Sequence, residues 1–247
     1  LIHNEEPELI DIEVQEIIDG MDGKLDVFQA RAVLAAVHNE GAKVVGPAGT
    51  GKSQVIKATR IYLESMGCQV IVCAYTHAAC RLVGGQTIAH LMHLNKLNDV
   101  WFLVDEVGLL PLSTLGDMAK LYELNAKFIM FGDFEGQFEA FKDRWRMQHS
   151  IEWTPLMHEL CGGLHISLSK YRRGSDPELF AWHHSLYGMK RPLVARSRWK
   201  YPALCDPRDD PLVLCISHKK RMQANARQNL LLKPGDATFC ECSQDQA

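Results

Sequence analysis

The segment "AKVVGPAGTGKSQVIKATRIYLESMG", residues 42–67, constrains the fold more than any other part of the sequence. An apolar run, a glycine-rich loop and an amphipathic helical pattern follow one another without a spacer. The loop from Gly46 to Ser53 has the pattern G-x-x-x-x-G-K-[S/T], which joins a strand to a helix. This arrangement predicts a parallel sheet with the loop at its carboxyl edge.

The residue types of this loop favour the binding of nucleotide phosphates. Glycines let backbone N–H groups turn inward around phosphate oxygens, and the N-terminus of the next helix adds a favourable dipole. Lys52 is predicted to reach the β- and γ-phosphates of ATP, and the Ser53 hydroxyl to ligate Mg²⁺. The predicted nucleotide-binding residues of the loop are Gly46, Pro47, Ala48, Gly49, Thr50, Gly51, Lys52 and Ser53.

Apolar runs and helical patterns alternate along the first 160 residues. The runs "CQVIVCAYT", "VWFLVD" and "KFIMFGD" are short and largely apolar, which is typical of strands covered on both faces. Helical patterns lie at 27–37, 53–67, 87–97 and 112–125. The alternation predicts an α/β fold with a mostly parallel sheet and helices on both faces.

Acidic and amide side chains follow two of the predicted strands. The run "WFLV" is followed by Asp105 and Glu106, and the run "FIMFG" by Asp133 and Gln137. The carboxyl ends of parallel strands share one edge of a sheet, so these side chains are expected beside the phosphates. Asp105 is predicted to hold Mg²⁺ and Glu106 to polarise the attacking water, with Gln137 as a sensor of the γ-phosphate. The alternative for both sites is an ordinary surface turn.

The composition excludes several classes of protein. The chain is 47% hydrophobic and 23% charged, as soluble globular proteins are. No apolar run reaches the roughly 18 residues of a membrane span, and the acidic N-terminus lacks the basic segment of a secretory signal. Neither Cys240–Cys242 nor the group of His158, Cys161 and His165 has the spacing of a zinc site. We therefore expect an intracellular protein with reduced thiols, nuclear, cytoplasmic or viral, without a membrane partner.

Charges are distributed unevenly along the chain. The net charge is −3, yet residues 1–22 carry eight Asp or Glu and no Lys or Arg. Residues 161–227 carry thirteen Lys or Arg against five Asp or Glu. The asymmetry indicates an acidic arm and a basic working face, or simply a solvated surface. We predict an acidic arm at 1–22, an ATP-binding domain at 23–160 and a basic second α/β lobe at 161–247.

The order of the motifs resembles that of superfamily 1 helicases, in particular the 5′-to-3′ branch with the Pif and RecD types. "GPAGTGKS" is similar to motif I, "VDEVG" to motif II and "GDFEGQF" to motif III, in which the Gln usually stands one residue earlier. "DVFQA" resembles the Q motif, "AYTHAACRL" motif Ia, "GGQTIAHLM" the next DNA-contacting motif and "LSKYRRG" motif IV. The set covers about residues 26–175.

The resemblance implies a RecA-like ATP-binding domain that acts as a helicase motor on single-stranded DNA, with RNA as an alternative. A further chain segment or replication and repair proteins are the implied partners. The two remaining motifs of such a motor are missing, since only 22 residues follow Asn225 and contain neither. We therefore expect an incomplete second lobe. The rival functions are a P-loop ATPase that does not act on nucleic acid and a helicase-like binding module without unwinding activity.

The resemblance also implies roles for single residues. It places Gln29 near the adenine, although Asp26 and Gln29 also fit a helix capping box. It makes Arg172 an arginine that acts on ATP, where the alternative is a surface charge. The implied nucleic-acid contacts are Thr76, His77, Thr87 and His90, of which the two threonines fit equally well as turn-closing residues. Trp199 and Tyr201 are candidates either for base stacking or for anchoring a loop.

Overall fold

A computed structural model describes residues 12–91, 99–134, 151–174, 176–185 and 218–229. The chain divides into two compact units, residues 1–188 and 189–247. The strands of the first unit are β1 Ala42–Val45, β2 Val70–Ala74, β3 Gln86–Thr87, β4 Trp101–Asp105, β5 Lys127–Gly132 and β6 His165–Ser167. They form one sheet in the order β3-β2-β4-β5-β1-β6, and every pairing is parallel. The prediction of a parallel sheet is confirmed.

The helices of the first unit alternate with these strands. They are α1 Ile12–Gly20, α2 Val27–His38, α3 Lys52–Ser65, α4 His77–Val83, α5 Ile88–Leu91, α6 Leu112–Tyr122, α7 Pro155–Leu160 and α8 Pro177–Ser185. Two 3₁₀ turns lie at Val107–Leu109 and Ile151–Trp153. The helices predicted from apolar spacing are confirmed at α2, α3 and α6.

Helices pack on both faces of the sheet, because successive side chains of a buried strand point to opposite faces. In β5, Ile129 and Phe131 belong to the apolar cluster formed with α1, α2 and α3. Phe128 and Met130 belong to the second cluster, which α6 and α7 complete. Both clusters are closed to water, so the strands need the almost wholly apolar sequences that predicted them.

The register of the sheet brings the ends of four strands to one edge. Ala74 pairs with Asp105, Val104 with Met130, and Val45 with Gly132. The glycine-rich loop after β1, the acids after β4 and β5, and the segment after β2 therefore start from the same carboxyl edge. This is the arrangement that the motif order predicted.

The predicted acidic arm contains a packed helix. Val14 and Ile17 of α1 are buried in the core cluster, together with Met21 just beyond the helix. The acidic side chains at 13 and 16 are exposed. A stretch that is acidic on average therefore buries one apolar stripe against α2 and α3.

The first unit extends past residue 160, where the sequence had placed a boundary. In β6, His165 pairs with Lys43 and Ile166 with Val44, so this strand forms the edge of the same sheet. Helix α8 also belongs to the first compact unit, which ends at 188.

In the second unit the structure describes one helix, α9 His218–Asn229. Gln137, Trp199, Tyr201 and Cys240–Cys242 lie outside the described residues. The predicted strand "PLVLCIS" lies there too, so the incomplete second lobe stays a prediction. Among the helices that the structure describes, none is both long enough and apolar enough to cross a membrane. The described cysteines, Cys68, Cys73, Cys80 and Cys161, carry free thiols, and an intracellular location stays a prediction.

Candidate active site

The glycine-rich loop is shaped by two glycines in the left-handed region. Gly49 and Gly51 both have a φ of 92°, which side chains of L-residues rarely tolerate. The Thr50 hydroxyl donates to the carbonyl of Pro47 at 2.9 Å and closes the turn. Lys52 begins α3 immediately after the loop. The sequence therefore forms the predicted strand–loop–helix unit.

The ammonium group of Lys52 folds back over this loop. Its Nζ donates to the carbonyl oxygens of Gly46 at 2.5 Å and Pro47 at 3.1 Å. Burial lowers the pKa of Lys52, and the carboxylates of Asp133 and Asp105 oppose that shift. A partly desolvated ammonium held by neutral carbonyls has much to gain from an anion such as a phosphate.

Asp105 and Glu106 stand side by side at the end of β4. The Asp105 carboxylate accepts from the backbone N–H of Glu106 at 2.9 Å. Burial raises the pKa of both carboxyls, and the charge of Asp105 raises that of Glu106 further. A carboxyl with a raised pKa is better matched to proton transfer near neutral pH than an ordinary one.

Glu106 also contacts the segment after β2. The Thr76 hydroxyl donates to Glu106 Oε2 at 3.3 Å and thereby opposes the rise in the pKa of Glu106. The backbone of Glu106 has a φ of 54°, in the left-handed region that costs a non-glycine residue energy. An unfavourable backbone angle and a side-chain hydrogen bond together fix the direction of this carboxylate.

Asp133 follows β5 directly and is only 6% exposed. Its negative charge acts on Lys52 and partly opposes the lowering of the Lys52 pKa by burial. The acids after β4 and β5 and the lysine of the loop are therefore brought together as predicted. The role of Gln137 as a sensor of the γ-phosphate stays a prediction.

Asp26 and Gln29 form the capping box that was the alternative for this pair. The Gln29 N–H donates to Asp26 Oδ1 at 2.8 Å, and the Asp26 N–H donates to Gln29 Oε1 at 3.3 Å. The Gln29 side chain is 1% exposed, and its Nε2 donates to the carbonyl of Thr50 at 3.5 Å. Gln29 thus caps α2 and contacts the phosphate loop, while its contact with adenine stays a prediction.

The segment that the resemblance assigned to motif IV lies along the loop. The N–H of Leu168 donates to the carbonyl of Val45, and the N–H of Arg172 to that of Gly49, both at 2.8 Å. A Cβ built on Gly46 would lie 2.4 Å from the carbonyl oxygen of Leu168. We call residues 168–173 the strap. The signal for it in the sequence is the run "LSKYRR" directly after β6, but a run of this kind does not reveal its partner.

Arg172 contacts Asp26 in this structure. Its Nη2 donates to Asp26 Oδ2, and Lys170 Nζ lies 4.0 Å from the same oxygen. Burial lowers the pKa of Arg172. Arg172 is thus not a solvated surface charge, and its predicted role on ATP stays a prediction.

The predicted nucleic-acid contacts lie at the ends of β2 and β3, which are neighbours in the sheet: Thr76 and His77 follow β2, Thr87 ends β3, and His90 lies in α5. Thr76 caps α4 by accepting from the N–H of Ala79 at 3.2 Å, and Thr87 accepts from the N–H of His90 at 3.4 Å. The turn-closing alternative is therefore confirmed for both threonines, whereas contact with DNA stays a prediction. His77 and His90 are exposed beside them.

The segment after β2 carries two exposed apolar side chains that the motifs did not single out. Leu82 of α4 is 77% exposed, and Tyr75 precedes the cap of that helix. An exposed tyrosine next to a helix cap is suited to stacking with a base.

The sequence predicts no zinc site around α7, because the group of His158, Cys161 and His165 lacks the spacing of one. Within the described ranges, no cluster of three or more His, Cys, Asp or Glu side chains is suited to a metal ion. Cys161 is buried against Met157, at 3.9 Å between the sulfurs, and burial raises its pKa to about 12. In this structure the Cys161 side chain therefore packs in the apolar core.

Comparison with known proteins places the fold. Residues 24–143 match a family model described as the AAA domain. No curated protein sequence matches this chain. Similar solved structures include the Pif1 helicase from Candida albicans, with a TM-score of 0.68 and 18% identity over 85% of this chain and 55% of that one.

Two structures of a Pif1 helicase from Bacteroides are also similar. The complex with ADP-AlF3 and ssDNA has a TM-score of 0.59 and 19% identity over 94% of this chain and 59% of that one. The complex with ADP-AlF4 has a TM-score of 0.56 and 17% identity over 90% and 57%. This chain spans little more than half the length of these helicases. At such identities the likeness shows a shared fold: an α/β, RecA-like P-loop fold like that of Pif1 helicases, as the motif order indicated.

Proposed function

We propose that this chain is a motor of the helicase type, which hydrolyses Mg-ATP and couples the hydrolysis to movement on single-stranded DNA. The observation that carries the proposal is the hydrogen bond from Thr76 to Glu106. It joins the carboxylate best placed to activate water to the segment predicted to contact DNA. A P-loop enzyme acting on a small molecule has no need of such a link.

The hydrolytic step uses residues that follow three neighbouring strands, β4, β5 and β1. Lys52 exchanges its carbonyl partners for phosphate oxygens and stabilises the charge that develops on them. Glu106 takes a proton from the attacking water, which then displaces ADP from the γ-phosphorus. Asp133 balances the charge of Lys52 at the same edge.

The donor set at this edge suits Mg²⁺. Ser53 offers a hydroxyl at the start of α3, and Asp105 offers a carboxylate whose pKa is raised by burial, an effect that the charge of Lys52 only partly opposes. Mg²⁺ prefers such oxygen ligands together with phosphates and waters. When bound, the ion would neutralise charge on the phosphates.

The nucleic acid is assigned by position and by likeness. The segments that follow β2 and β3 expose Tyr75, His77, Leu82 and His90. One similar Pif1 structure was solved with ssDNA and ADP-AlF3. We infer that single-stranded DNA lies along the segments that follow β2 and β3, with RNA as the alternative, and that further chain segments or replication and repair proteins assist.

Steady-state ATP turnover of the full chain with Mg²⁺ tests the proposal. We expect single-stranded DNA to raise turnover several-fold and duplex DNA to raise it less, with single-stranded RNA as a parallel arm. Turnover that no nucleic acid alters would indicate an ATPase with another substrate. Absence of turnover in the presence of DNA binding would indicate a binding module.

Two variants locate the activity in the described site. Lys52→Ala should lose both turnover and tight nucleotide binding, because the phosphates lose their fixed positive charge. Glu106→Gln should keep nucleotide binding and lose turnover, because Asp105 and Lys52 remain. Wild-type turnover by Glu106→Gln would remove Glu106 from the role of base.

A further inference from the structure

A cavity of about 910 Å³ lies at the amino ends of β1 and β6. Lys43 of β1 and His165 of β6 line it, and because these residues are partners in the sheet, their side chains lie on the same face. Residues of the second 3₁₀ turn and of α7 complete the wall. The glycine-rich loop follows the opposite, carboxyl end of β1, and the strap follows that end of β6. The cavity is therefore separate from the nucleotide site and has the size of a ligand-binding cavity.

Trp153 forms an exposed aromatic platform at this cavity. Its ring stacks on the His165 imidazole, with 5.6 Å between the ring centres and 13° between the planes. The Lys43 ammonium lies 4.2 Å from the centre of the same ring, yet Trp153 is 72% exposed. One face of the indole is thus held against the sheet and the other is open to solvent, so the ring is ordered before any partner binds.

The cation beneath the indole influences what can bind to the open face. Lys43 attracts π-electron density towards the inner face, as a cation over an aromatic ring does. The open face is therefore a weaker site for a second cation, but it can still stack with another ring. A planar aromatic group is the best match for this platform.

The charges around the cavity disfavour nucleic acid as the source of that aromatic group. Lys43 is the sole Lys or Arg among the described residues that line the cavity, and its ammonium lies 3.8 Å from the Glu152 carboxylate. Burial and the charge of Lys43 lower the pKa of His165, so this ring is neutral at neutral pH. Glu159 of α7 is exposed on the same wall. A phosphate would meet a carboxylate there, whereas a Lys or Arg side chain would be attracted.

We propose that this cavity is a docking site for a partner protein, which places an aromatic side chain on the open face of Trp153 and a neighbouring Lys or Arg beside Glu159. Aromatic anchors in pockets are typical of the residues that dominate the energy of protein interfaces. The fixed indole supplies the contact area, and the carboxylate selects basic segments over acidic ones. The proposal does not depend on the proposed function, since the site needs neither nucleotide nor DNA.

Nuclear magnetic resonance of the full chain with isotope-labelled tryptophan tests the site directly. The indole N–H signal of Trp153 is identified by its loss in Trp153→Phe. Three capped peptides with the cores Lys-Trp-Lys, Glu-Trp-Glu and Lys-Ala-Lys are the probes, beside a single-stranded oligonucleotide. Lys-Trp-Lys should shift this signal saturably, Glu-Trp-Glu should bind about tenfold more weakly because of like-charge repulsion, and the other two probes should leave the signal in place.

Variants assign the binding to the two named side chains, with fluorescence anisotropy of the labelled Lys-Trp-Lys peptide as the readout. Trp153→Ala should abolish binding, and Trp153→Phe, which keeps an aromatic face, should retain most of it. Glu159→Gln should weaken binding about threefold. Glu123→Gln is the matched control, because it removes an exposed carboxylate at the end of α6, outside the cavity, and its affinity should stay that of the wild type. Mg-ATP binding should be the same in all four variants, because the loop lies at the other end of β1.

Four results would overturn the proposal. If no peptide moves the Trp153 signal, the cavity is not a docking site. If Lys-Ala-Lys moves it as Lys-Trp-Lys does, charge alone is recognised. If the oligonucleotide moves it and the peptides do not, the platform binds nucleic acid. If Glu159→Gln and Glu123→Gln bind the peptide equally well, Glu159 does not select the partner, and this comparison holds even where Trp153→Ala destabilises the chain.

Discussion

Thr76 links the two parts of the proposed mechanism, ATP hydrolysis and contact with DNA. Its side-chain oxygen accepts from the N–H of Ala79 to start α4, and its hydroxyl hydrogen goes to Glu106. A ligand that moves the start of α4 therefore moves a donor away from the carboxylate. The hydroxyl lowers the pKa of Glu106 against the effect of burial, so its position sets both the direction and the basicity of the base.

Replacement of Thr76 tests this link by the pH dependence of turnover. Glu106 acts as a base only when deprotonated, so kcat falls as the pH drops through its raised pKa. Thr76→Val removes the hydrogen bond that favours the carboxylate, so the pKa rises and the acid limb of kcat moves to higher pH. Thr76→Ser keeps the hydroxyl and should keep the wild-type limb.

The same pair of variants separates the base from the helix cap. Thr76→Val also removes the cap of α4, at a cost of about 1 kcal/mol in the free energy of unfolding. That loss is visible in urea and is independent of the acid limb. An acid limb that stays in place in Thr76→Val would show that the Thr76 hydroxyl does not tune Glu106.

At the scale of elements, a buried ion pair fastens the turn before α7 to β1, the neighbour of the edge strand β6. Lys43 of β1 donates to the backbone carbonyl of Glu152 at 2.8 Å and lies 3.8 Å from its carboxylate. The side chains are only 8% and 12% exposed, and the Lys43 ammonium lies 4.2 Å from the centre of the Trp153 ring. The positive charge of this buried lysine is thereby stabilised by Glu152 and by the Trp153 ring.

We predict that Glu152→Gln lowers the free energy of unfolding by about 3 kcal/mol, because it leaves a buried ammonium without its counter-charge. Adding Lys43→Met should restore most of the loss, since an apolar chain of similar length needs no partner there. Urea unfolding at neutral pH measures both. Equal stability of the wild type and Glu152→Gln would show that the carboxylate does not stabilise Lys43.

Elements with a local signal were predictable, and elements that depend on distant partners were not. The capping residue and the apolar spacing of α2 lie in or next to the helix itself. The glycines of the loop are needed because the backbone there is left-handed. In α1 the spacing of Val14, Ile17 and Met21 is present, but the acidic composition outweighed it. The three residues of β6 carry no periodic pattern, and their pairing with β1 depends on chain that lies far away in sequence.

The site follows the same rule. Lys52, Asp105 and Glu106 were predictable because each directly follows an apolar strand or opens a helix at a known sheet edge. The contact of Arg172 with Asp26 and of Tyr171 with Gly49 was not, since each joins elements separated by most of the first unit. A pattern can identify the residue types of such a site but not the distant residues that each of them contacts.

At the scale of the whole molecule, the uneven charge predicts salt-dependent binding of DNA. Residues 161–227 have an excess of eight positive charges although the chain as a whole is negative. Contacts with phosphates release counterions, so the logarithm of the binding constant should fall linearly with the logarithm of the salt concentration. Fluorescence anisotropy of a labelled oligonucleotide over a range of NaCl concentrations measures the slope. A flat plot would exclude the basic segment from the DNA site.

We propose that the binding of nucleotide and the binding of single-stranded DNA are coupled in this chain. The most direct test is the affinity of the Glu106→Gln chain for a labelled single-stranded oligonucleotide in the presence of Mg-ATP, of Mg-ADP or of no nucleotide. Glu106→Gln prevents hydrolysis, so each state persists during the titration. Because linkage is reciprocal, a motor must bind DNA with different affinities in the ATP and ADP states, and we predict a ratio of at least fivefold, about 1 kcal/mol. The same DNA affinity in all three states, with nucleotide binding shown separately, would contradict the account.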